Sequence, residues 1–151
     1  MSLYTFARGV ITVMSTLFFR VRFEGKEHIP ASGGFIMAAN HVNLLDPLFV
    51  AQGLRPQVHY MAKAELFRNP LLGWLLRHLG AFPVERGKGD SSALDRSAEI
   101  VRSGGALGIF PEGTRSKNGK PLRPKSGVAI IAKMTGADVL PCAVSYGPSL
   151  G

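Results

Sequence analysis

Five short apolar runs punctuate the chain, at residues 35–39, 58–62, 82–84, 106–110 and 139–144. Each has the length and the apolar, β-favouring make-up of a buried strand. Helical patterns fall between them, at residues 48–54, 71–79, 92–102 and 127–135. Asp90 or Ser91 stands where the third helix needs a cap, and Gly136 stands where the fourth must stop. Parallel strands need long crossovers, and a helix is the usual way to make one. The alternation therefore predicts a single α/β domain, with a largely parallel or mixed sheet flanked by helices. A length of 151 residues suits one such domain, and no repeat, linker or low-complexity tract divides it. In open α/β sheets the functional crevice lies beyond the carboxyl ends of the strands. The polar clusters of this chain fall just after its strand runs.

Composition narrows the partners. With 46% hydrophobic and 19% charged residues, the chain is not disordered. The single cysteine, Cys142, excludes a disulfide framework and a cysteine-rich zinc site, and no metal-ligand cluster is legible. Eighteen Lys and Arg against ten Asp and Glu leave a net charge of +8. That excess suits nucleic acid, an anionic membrane surface or a phosphorylated substrate. Residues 3–19 are apolar apart from Arg8, and Arg20 and Arg22 follow. As a helix this run reaches about 25 Å, short of a hydrocarbon core of about 30 Å. It lacks the basic start and small-residue cleavage site of a signal peptide. The expectation is a membrane-interface helix over residues 1–19, lying in or dipping into one leaflet, ahead of a domain over residues 20–151. The competing reading is an apolar helix packed on the core.

The first polar cluster is Asn40-His41-Val42-Asn43-Leu44-Leu45-Asp46-Pro47. A carboxylate five positions after a histidine can hold the proton of one ring nitrogen and leave the other free as a base. Such a base can deprotonate a hydroxyl near neutral pH. Taken alone, the same residues also suit a helix start at Asp46-Pro47 with a packed His41. The second cluster is Phe110-Pro111-Glu112-Gly113-Thr114-Arg115-Ser116. A Gly-Thr pair beside a guanidinium offers backbone N–H groups, a hydroxyl and a bidentate cation, a combination suited to phosphate. Its order is not that of a nucleotide P-loop. A turn closed by a Glu112–Arg115 ion pair is the alternative.

Together these two clusters resemble the glycerolipid acyltransferase family, the 1-acylglycerol-3-phosphate acyltransferases. Residues 80–86, Gly-Ala-Phe-Pro-Val-Glu-Arg, resemble that family's second block, and residues 139–144, Val-Leu-Pro-Cys-Ala-Val, resemble its fourth. The four occur in the family's order across roughly residues 23–146.

The resemblance implies a glycerolipid acyltransferase fold and transfer of a fatty acyl chain from an acyl thioester, acyl-CoA or acyl carrier protein, to 1-acylglycerol 3-phosphate. It implies His41 as general base and Asp46 as its support. Arg115, Arg86 and Lys63 become the cations for the acceptor phosphate. Glu112 would help to position the acceptor, and Gly113 and Thr114 would let it approach closely. No cofactor or metal is implied beyond the thioester cosubstrate. The implied partner and location are the membrane lipid bilayer, at the cytoplasmic face of the cell membrane. The alternatives are acylation of glycerol 3-phosphate or of another lysolipid such as a lyso-ornithine lipid, or a non-catalytic membrane binder. Nucleic acid is disfavoured, since no aromatic-basic platform or reading helix is present.

Remaining residues carry less. His28, His59 and His78 have no acidic partner in register and read as structural or exposed. Trp74 reads as core or as an interfacial anchor, and Cys142 as inert. Lys117, Lys120, Arg123 and Lys125 form a basic run suited to lipid headgroups, with Lys125 also near enough to the next helix start to approach a phosphate. The family usually continues past the fourth block with further strands and helices, so the chain is expected to be carboxyl-terminally truncated relative to it.

Overall fold

The computed structural model describes residues 2–85 and 91–147. Helix α1 spans Leu3–Phe18, and a 3-10 turn at Lys26–His28 leads to strand β1, Phe35–Ala39. Helix α2, Asp46–Gly53, strand β2, Val58–Lys63, helix α3, Pro70–His78, and strand β3, Ala81–Val84, follow. Then come helix α4, Ser91–Arg102, strand β4, Ala106–Ile109, helix α5, Gly127–Thr135, and strand β5, Asp138–Cys142. The five strands form one sheet in the order β3-β2-β4-β1-β5, and every pairing is parallel. The expectation of a largely parallel or mixed sheet thus resolves to parallel throughout.

The sheet's two faces carry two cores, and strand alternation decides which residue enters which. Phe35, Met37 and Ala39 of β1 pack with Leu54, Val58 and Ala106 on one side. Ile36 packs with Leu107, Ile109, Phe82, Ile100, Val101 and Ile131 on the other, beneath α4 and α5. The register Phe35 to Ala106 and Ile36 to Leu107 keeps like-facing residues together across the central pair. β1 and β4 therefore run side by side through the middle of the core. Their carboxyl ends deliver the two polar clusters to neighbouring loops.

Helix α1 docks by its polar stripe. Arg8 Nη1 and Nη2 donate to the carbonyls of Arg55 and Gln52 at 3.2 and 3.1 Å, at the carboxyl end of α2. Ser15 Oγ donates to Gln52 Oε1 at 2.9 Å, and Tyr4 Oη accepts from the Val58 N–H at 3.3 Å. Residues 4, 8 and 15 lie within about 40° of one another around a helix, so one face makes all these bonds. Phe6, Val10, Val13, Met14 and Leu17 lie on the opposite face and are exposed. The alternative of an apolar helix buried on the core is not what is found. No helix among the described residues is long and apolar enough to cross a membrane.

Candidate active site

Asp46 opens α2 and is fully buried, while Pro47 follows it in the first turn. Its carboxylate turns back over the loop that leaves β1. Oδ2 accepts from His41 Nδ1 at 2.9 Å, from the Val42 N–H at 2.7 Å and from the Asn43 N–H at 2.8 Å. Oδ1 accepts from the hydroxyl of Tyr146 at 2.5 Å. Asp46 therefore starts a helix and also binds the histidine. Burial pushes the Asp46 carboxyl up, but the bonds from Asn43, Tyr146, His41 and Val42 together outweigh it and hold the group below its ordinary value. A charged carboxylate in this position keeps the His41 proton on Nδ1. In the neutral imidazole that tautomer leaves Nε2 as the nitrogen without a proton.

The second loop holds His41 from both sides. The His41 N–H donates to Glu112 Oε1 at 3.1 Å, and the His41 carbonyl accepts from the Ser116 N–H at 2.8 Å. The ring of His41 stacks on Phe110, with centroids 4.2 Å apart, and Phe110 stacks in turn on Tyr60 at 5.9 Å. Gly108 makes room for this pile, because a Cβ there would sit 2.2 Å from the Tyr60 ring. Two clusters some seventy residues apart in sequence thus become one constellation.

Glu112 is buried, and its second oxygen, Oε2, accepts from the Leu122 N–H at 2.6 Å. The turn Glu112–Arg115 ion pair does not form: the carboxylate faces the two backbone N–H groups instead. Gly113 has φ 70°, a left-handed conformation that glycine tolerates without strain, and its N–H closes the turn onto the Phe110 carbonyl at 2.9 Å. The Lys125 side chain crosses this turn, with Nζ 3.0 Å from where a Gly113 Cβ would be. Thr114 and Arg115 are exposed, and Arg115 adjoins the Ser116 bond to His41. Lys63 is exposed at the carboxyl end of β2, the strand beside β4. Arg86 lies outside the described residues.

Phe110 and Ser116 close the two ends of the second cluster without an expected role, and no sequence pattern pointed to Tyr146 as part of this site. Tyr146 is 100 positions from Asp46, and no local pattern links them. Asn40 stands in the recognised cluster, yet its work is long-range: its amide donates to the Val144 carbonyl at 2.9 Å and accepts from the Val144 N–H at 2.7 Å. Of the other histidines, His28 is exposed beside Glu27, and His78 bonds the Trp74 carbonyl at 2.8 Å. His59 is partly buried, and burial lowers its basicity. Trp74 is half exposed and so is not core. Cys142 is partly buried, and burial pushes its thiol up.

Residues 20–145 match the family model described as Acyltransferase. The chain is 37% identical over 150 residues to the 1-acyl-sn-glycerol-3-phosphate acyltransferase of Bacillus subtilis (strain 168), covering 99% of this chain and 74% of that protein. It is 34% identical to the protein of the same name from Streptococcus pneumoniae (strain ATCC BAA-255 / R6), over 96% of this chain and 54% of that one. The crystal structure of the 1-acyl-sn-glycerophosphate (LPA) acyltransferase PlsC from Thermotoga maritima is similar in fold, with a TM-score of 0.74 at 31% identity. That likeness covers 92% of this chain and 56% of the Thermotoga chain, so this chain spans between half and three quarters of the length of these three proteins.

Proposed function

This chain belongs to the acyltransferase family, and we propose that it moves a fatty acyl group from an acyl thioester to the free hydroxyl of 1-acylglycerol 3-phosphate, forming phosphatidic acid. The observation that carries this reading is the His41–Asp46 pair, with Nδ1 held at 2.9 Å from the carboxylate and Nε2 left as a base. The acceptor hydroxyl gives its proton to Nε2 as its oxygen attacks the thioester carbonyl. The tetrahedral oxyanion collapses, the C–S bond breaks, and the leaving thiolate recovers the proton from the imidazolium. Asp46 stabilises that imidazolium and keeps the ring from turning. A base so held typically contributes about 10²–10⁴-fold, and holding both substrates together adds the proximity term. The thioester carrier is acyl-CoA or acyl carrier protein.

Arg115 and Arg86 are the cations for the acceptor phosphate, with Lys63 as a third. Arg115 leaves the 110–116 loop next to the Ser116 tie to His41, and Lys125 adds a charge over the Gly113 turn. Thr114 and Gly113 offer a hydroxyl and a small surface to the incoming acceptor. Glu112 acts on the acceptor through the loops it ties together. Both substrates carry long acyl chains, which favours work at a lipid surface. The outward apolar face of α1 supports attachment of residues 1–19 to one leaflet of the bilayer, at the cytoplasmic face of the cell membrane. Arg20, Arg22 and the Lys117–Lys125 run would meet anionic headgroups there.

The test offers lysophosphatidic acid and glycerol 3-phosphate separately to the protein and to its His41→Ala variant, with each thioester carrier. Ester formation with lysophosphatidic acid, lost in His41→Ala, is the expected result. Product from glycerol 3-phosphate alone would overturn the acceptor, and an active His41→Ala would overturn the base.

A further inference from the structure

Asp46 meets four donors, and three of them crowd one oxygen. His41, Val42 and Asn43 all lie on Oδ2 and all come from the same short loop. Among the described residues, Oδ1 has a single partner, the Tyr146 hydroxyl, which arrives from beyond β5. Asp46 is fully buried, so solvent does not share that bond while Tyr146 is in place.

The segment that brings Tyr146 is itself held in place. Both bonds of the Asn40 amide go to the Val144 backbone, two residues before Tyr146. The Tyr146 ring meets Phe49 of α2 edge-on at 6.4 Å, and Phe49 meets Phe19 at 5.6 Å. Asn40 immediately precedes His41, so one residue pair anchors the histidine's loop and the tyrosine's segment to each other. The clamp, the ring contact and the hydroxyl converge on one carboxylate oxygen.

We propose that Tyr146 is a positioning residue of the dyad, which acts by holding Asp46 Oδ1 so that Oδ2 stays aimed at His41 Nδ1. Rotation about the Cβ–Cγ bond would carry both carboxylate oxygens off their donors. The Tyr146 bond on Oδ1 therefore adds to the restraint from the three donors on Oδ2 and holds the imidazole at one remove. Tyr146 exchanges no proton with substrate in this arrangement. This inference rests on the reading of His41 as the base.

The experiment compares the parent protein, Tyr146→Phe and His41→Ala in the lysophosphatidic acid assay, together with the NMR resonance of the His41 Nδ1 proton. Phenylalanine keeps the contact with Phe49 and deletes one hydroxyl. A hydrogen bond to a charged group is worth about 10- to 100-fold, so kcat in Tyr146→Phe should fall by that range with KM unchanged. The His41 Nδ1 proton should move or broaden, as a merely structural loss at the chain's surface would not make it do. Unchanged kcat alongside an inactive His41→Ala overturns the role of Tyr146 and leaves the base intact. An active His41→Ala overturns both. In the unmutated protein the Tyr146 hydroxyl proton should be protected from solvent exchange, and a freely exchanging hydroxyl overturns the proposal even if the variant fails to fold.

Discussion

Replacing Glu112 by glutamine tests what holds the two clusters together. In the parent, Oε1 accepts from the His41 N–H at 3.1 Å and Oε2 from the Leu122 N–H at 2.6 Å. A glutamine keeps one acceptor and turns the other position into an NH2 group that faces a backbone donor. Each bond to a charged group contributes about 1.5–3 kcal/mol, and Glu112 is nearly inaccessible to water, so Glu112→Gln should lose about 2–3 kcal/mol of stability. That is a large share of the roughly 5–15 kcal/mol of a typical domain. Glu112→Ala strands both N–H groups and should lose more. The Ser116 bond still grips the His41 carbonyl, so the dyad shifts rather than collapses. A shift of about 1 Å in a reacting group can lower the rate about 10²-fold, and the loss should appear in kcat rather than in the KM of the acceptor. Urea unfolding and steady-state kinetics measure the two effects. A Glu112→Gln protein as stable as its parent, with only the acceptor KM raised, would refute the tie and make Glu112 a substrate contact.

Three further outcomes follow from the same geometry. Asp46 has a folded-state pKa below its unfolded value, so its contribution to stability is fully present above the ordinary carboxylate value of about 3.9 and is lost as pH falls through the folded value. Acid unfolding of Asp46→Asn should therefore show a shallower loss of stability below about pH 4 than the parent, and equal slopes would contradict the charged, hydrogen-bonded carboxylate. Gly108→Ala puts a methyl 2.2 Å from the Tyr60 ring and should destabilise by about 1–3 kcal/mol or more, with part of the loss recovered on adding Tyr60→Val; thermal melts of the two single variants and the pair decide it. Val13→Glu with Leu17→Glu changes two exposed residues of α1, so stability should hold within about 0.5 kcal/mol each while co-sedimentation with anionic vesicles drops. Undiminished vesicle binding would remove α1 as the attachment.

The strands and helices were legible in the sequence because each is a local pattern. The runs at residues 35–39 and 106–110 are apolar enough to be buried on both faces, and Gly136 ends α5 just after Thr135 as its chemistry dictates. His41 and Asp46 were legible as a pair because five positions are a short reach. The direction of α1 stood between two readings, an interface helix and a helix packed on the core, until Tyr4, Arg8 and Ser15 are seen bonding inward, which leaves the apolar side outside. Trp74 likewise looked suited to a core and is half exposed.

The sequence by itself determined the element types, the α/β class and the family, since periodicity, punctuation and ordered motifs all act over a few residues. Strand order was decided only in three dimensions. Threading β4 between β2 and β1 brings the 110–116 loop against His41, and laying β5 outside β1 brings Tyr146 to Asp46 across 100 positions. Those contacts depend on which buried face pairs with which. That choice is made by packing two cores on one sheet, and no window along the chain contains it.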